Sequence, residues 1–70
     1  MEKDKLLNRW QVLLHESANT PGFRAVLQER LVILHRLNEL GETTVEGDSL
    51  VGALETNNVL LRSVDRAGAA

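Results

Sequence analysis

Asn57 is the residue whose chemistry fits its position least. It falls mid-way along an apolar stripe of Leu50, Leu54, Leu61 and Val64, where an amide is costly unless it finds a hydrogen-bond partner. Two readings stay open: a polar group that fixes helix register at some cost in stability, or an edge residue that reaches water. His15 and His35 belong to different expected helices. Glu39, four residues after His35, is the one companion at helical spacing, and a solvated pair rather than a metal site is expected there. Ser17, Ser49 and Ser63 lack the glycine-framed setting of an activated nucleophile, and no base is placed to take their protons. The turns Thr20-Pro21-Gly22 and Glu46-Gly47-Asp48 do not have phosphate-loop spacing, and the second presents acids. No catalytic, cofactor-binding or metal-ligating residue is expected, so the chain reads as a non-enzyme without cofactors.

The elements that must position these residues are helices. Leu6, Leu7, Trp10, Leu13 and Leu14 recur at three- and four-residue spacing, which predicts a short amphipathic helix over about 4–17. Thr20 can cap a second helix, with Pro21 at its first position, although a kink in one long helix would also fit. That second helix is expected over 21–40, carrying Phe23, Val26, Leu27, Leu31, Leu34 and Leu37. At about 1.5 Å per residue it spans roughly 30 Å and should be the longest and central element. Gly41 suits the left-handed position that closes a helix, and 42–47 becomes the connection. Asp48 is a plausible cap for a third helix over 48–65, weakened at Gly52, and the tail 66–70 is expected to fray. The fold class is all-α: two to three helices, the last two an antiparallel hairpin, in a single domain over 1–70.

Composition bears on function. The chain has 70 residues, 43% of them hydrophobic, with one Trp, one Phe and no Cys. Ordering it costs roughly 100 kcal/mol at ~1.5 kcal/mol per residue, close to what its apolar burial returns. Disulfides cannot close the gap, so burial against a protein partner or a second copy is expected. A net charge of −2, with Arg24, Arg30 and Arg36 spiralling around the second helix, argues against nucleic acid. The charged start Met1-Glu2-Lys3-Asp4-Lys5 fits neither a leader nor a spanning helix, so a cytoplasmic protein without membrane is expected, and the lack of a catalytic constellation argues against a small-molecule substrate.

Interface candidates are Trp10, Phe23, Leu27, Leu31, Leu34, Leu54, Asn57 and Leu61. Trp10 reads as core or oligomer core ahead of an exposed anchor. Val12, Val32, Val45 and Val59 fall off their stripes and read as surface residues, or as a second interface if they align.

The runs Leu6-Leu7-Asn8-Arg9-Trp10, Thr20-Pro21-Gly22-Phe23-Arg24 and Gly52-Ala53-Leu54-Glu55 leading into Leu60-Leu61 resemble small helical virion-structure and assembly proteins of tailed bacteriophages. Asn57-Asn58 departs from that pattern, where apolar residues would be expected. The resemblance implies a non-enzymatic role in building or stabilising a phage particle, in the host cytoplasm or the virion. Sequestration of a single partner, as by a small inhibitor or chaperone, is the alternative.

Overall fold

The computed structural model describes residues 1–17 and 19–69. The chain forms α1 (Glu2–Leu14), α2 (Phe23–Glu39), a ribbon of β1 (Thr44–Val45) and β2 (Asp48–Ser49), and α3 (Leu50–Ala69). The architecture is all-α with one two-stranded addition.

In α1, Glu2 and Asp4 place negative charge in the first turn, where the helix dipole favours it, and the stripe buries Trp10 and Leu13. The helix stops at Leu14, short of residue 17: the N–H groups of His15 and Glu16 turn back three residues, to the carbonyls of Val12 and Leu13. Leu14 is left 42% exposed.

The junction to α2 corrects the expected start at Pro21. Phe23 N–H bonds the Thr20 carbonyl at 3.1 Å, and Gly22 has φ 78° and ψ 20°. A proline followed by a left-handed glycine suits a type II turn, so Pro21 lies in the turn and the helix begins after it. Gly22 occupies the cap position and no side chain caps the helix, which removes Thr20 from that role. The turn separates two helices rather than kinking one. Ala18, part of the expected junction, lies outside the described residues.

Gly41 closes α2 as its type predicts. With φ 88° it lets its own N–H reach the Asn38 carbonyl and Glu42 N–H reach the Leu37 carbonyl, each at 3.0 Å, the paired bonds of a Schellman motif. The connection that follows is not a plain loop. Thr44 pairs with Ser49 and Val45 with Asp48 around Glu46 and Gly47, both at positive φ as a type I′ turn requires. Val45 is 2% exposed, so the ribbon drives into the core a residue expected on the surface.

Asp48 therefore lies in a strand rather than at a cap. Ser49 takes the capping role, its Oγ accepting Gly52 N–H at 3.4 Å. α3 then runs to Ala69, past the expected end at 65, and position 70 lies outside the described residues. At 20 residues α3 is longer than the 17-residue α2, contrary to expectation.

α2 is nevertheless central. Arg9 pairs with Glu29 and Arg36 with Glu2, which sets α1 antiparallel to α2; Arg24 with Asp65 and Asn57 with Leu27 set α3 antiparallel to α2. The most extensive packing is between α2 and α3. The main core joins Trp10, Leu13, Ile33, Leu34, Leu37, Val45 and Leu50, drawn from all three helices and the ribbon. Among the described residues no helix is long and apolar enough to cross a membrane.

Candidate functional site

Two polar residues stand in the middle of apolar stripes. On α3, Asn57 is fully buried, and its Nδ2 donates to the Leu27 carbonyl at 2.9 Å. Its Oδ1 is buried without a partner. The choice between a buried amide and a wet edge is thus settled for burial: the amide ties α3 to the backbone of α2 across the seam.

On α2, Arg30 follows Leu27 by three residues and precedes Leu34 by four, so helical periodicity sets it on the buried side. Its guanidinium carbon sits 5.1 Å from the centre of the Trp10 ring, within cation–π range. The Nε atom is buried and has no acceptor. Burial pushes the guanidinium pKa down, the direction expected when a cation loses water. Arg30 belongs to none of the ion pairs among the described residues.

The ion pairs differ in kind from this contact. Arg9 with Glu29, Arg36 with Glu2 and Glu39, Arg24 with Asp65 and Lys3 with Glu42 all lie at the surface. Arg36 holds the Glu2 carboxyl below its ordinary value and Arg9 does the same for Glu29. Such solvated pairs are worth little each and serve orientation more than stability.

Arg30 and Trp10 line a cleft of about 410 Å³ between α1, the ribbon and the start of α3. Leu14, Val45 and Ala53 supply apolar wall; Ser49 and Thr56 bring hydroxyls, and Glu46 and Asp48 bring carboxylates. Pockets of roughly 300–1,000 Å³ with apolar walls and a few convergent polar groups are the usual setting of small-ligand sites. Among the described residues no cluster of His, Asp and Glu could hold a metal ion.

The structure divides the interface candidates. Trp10, Leu27, Leu34 and Asn57 are used inside the chain, at 4% exposure or less, and cannot meet a partner without rearrangement. Phe23, Leu31, Leu54 and Leu61 are half-buried and keep a free edge. Of the off-stripe valines, Val12, Val32 and Val59 are at least half exposed. Arg30 is the residue that sequence reading missed. Grouping it with Arg24 and Arg36 by charge hid its place among Leu27, Leu31 and Leu34, the same signal that singled out Asn57.

Compared with protein-family models, with curated proteins and with solved structures, the chain matches none.

Proposed function

We propose that this chain is a non-enzymatic interaction protein that acts in the assembly or stabilisation of a larger protein complex, a phage particle being the setting its motifs suggest. One observation carries the reading: apolar surface remains after the core has closed. Val32 is 66% and Val51 63% exposed, and Phe23, Leu31, Leu54 and Leu61 are only half covered. In so short a chain each of these partly wet side chains forgoes a share of the about 1.5–3 kcal/mol that full burial would return.

Sedimentation velocity across the micromolar range, together with capture from the native cell extract, tests this. Self-association, or recovery of repeated structural subunits in fixed ratio, is expected. A monomer at every concentration that also captures no protein in stoichiometric amount would sink the proposal. The one-to-one inhibitor is a second reading, supported by the cleft, a concave feature suited to one inserted group. Capture of one protein at equal stoichiometry would favour it.

A further inference from the structure

We propose that the bare face of the α2–α3 hairpin receives the same face of a second copy, with the two α3 helices antiparallel across a two-fold axis. The dimer rests on the interaction role and gives it a named partner. Beside its buried stripe α3 carries a second one: Val51, Leu54, Asn58 and Leu61 recur at spacings of three and four, the a and d places of a heptad. Val51 is 63% exposed and Asn58 is exposed, while Leu54 and Leu61, shared with the core side, keep a free edge. The Arg24–Asp65 ion pair marks where this stripe lies, because residues seven apart share a row along a helix. Asp65 continues the row of Val51 and Asn58, and half-buried Leu31 continues that of Arg24, which extends the face onto α2. α1 leaves it open, since its ion pairs with α2 fall on Glu29 and Arg36, a different row.

Charge selects a second copy and its direction. Glu55 and Arg62 flank the stripe, are exposed, and enter no ion pair among the described residues. Two α3 helices laid side by side in parallel set Glu55 against Glu55 and Arg62 against Arg62, which is repulsive. Turned antiparallel about the point midway between Asn58 and Val59, each Glu55 comes level with the partner's Arg62, because the two residues stand equally far from that point. The contact is isologous, so the match is made twice. Opposite charges beside a heptad seam are what set partner and orientation in paired helices, and two hairpins joined this way bury their leucines and valines in a four-helix arrangement.

Sedimentation velocity measures the dimer in the full chain, in Glu55→Arg, in Arg62→Glu and in an equimolar mixture of the two variants. Either variant alone sets like charges against each other twice and should weaken self-association at least about tenfold. Their mixture should associate like the unsubstituted chain, because both matches are attractive again in the mixed pair. The chain has no cysteine, so one introduced at a time reports direction. Asn58→Cys should oxidise to a covalent dimer, and Val51→Cys should not, the two copies of that position lying about 22 Å apart along the axis. A monomeric unsubstituted chain, variants that associate as it does, a mixture no stronger than its components, or equal cross-linking at both positions would overturn the dimer. A monomer that captures a different protein in fixed ratio sinks the dimer and leaves the interaction role standing, whereas a monomer that captures nothing sinks both. Should a charge variant lose its far-ultraviolet helical signal, the two cysteine variants decide.

Discussion

Asn57 and Arg30 occupy equivalent places, each central in the apolar stripe of its helix and each with one buried polar atom unpartnered, yet their surroundings differ. Asn57 is sealed in the α2–α3 seam and spends its amide N–H on the Leu27 carbonyl. Arg30 is only half-buried, rests on Trp10 and opens on a cleft. The difference teaches that a polar residue in a stripe is structural where the wall around it is closed. Where the wall is open, it keeps part of its charge at the surface.

The largest effect comes from the packing that both places share. Leu34→Ala should cost about 2–5 kcal/mol in a urea melt followed by helical circular dichroism, enough to unfold a small domain. A loss under about 1 kcal/mol would mean that α2 is not the central support. Asn57→Leu separates the two regions. It keeps the branching and heavy-atom count, removes the orphan oxygen, and should raise stability by about 1 kcal/mol while leaving the Trp10 emission unchanged. A cost of similar size would show that the seam depends on its amide.

Gly52→Ala sharpens the other side. The added methyl finds room, its nearest neighbour being Ser49 Cβ at 3.7 Å, and the swap should stabilise α3 by about 0.5–1 kcal/mol. Thr20→Ala, remote from both, should change the melt by less than about 0.5 kcal/mol, since its hydroxyl caps nothing.

The smallest effect is that of acid on the surface pairs. Glu2 and Glu29 titrate lower in the folded chain than in the unfolded one, so their contribution is complete above the ordinary carboxylate value and disappears as the pH falls through the lowered one. A carbon-13 titration should place both midpoints below that of an unfolded glutamate.

Periodicity alone was enough to place the three helices, because a side chain three or four residues on must share a face wherever the helix sits. Gly41 was equally plain, since its bonds reach no further than Leu37 and Asn38. The ribbon was harder. Thr43-Thr44-Val45 followed by Glu46-Gly47 carries a β-branched run and a turn glycine, but strands this short are held mainly by what they pack against, here the core that receives Val45. The exchange of Asp48 for Ser49 as the cap of α3 follows directly from that pairing.

The residue order of this protein determined its helical class, the closure of α2 and the awkward amide at position 57, since these depend on chemistry within a turn or two of chain. Tertiary structure decided that Val45 is core, that Asn57 is sealed and that Arg30 meets Trp10. Each of those outcomes depends on atoms twenty or more residues away, and burial is a property of the assembled neighbours rather than of the residue itself.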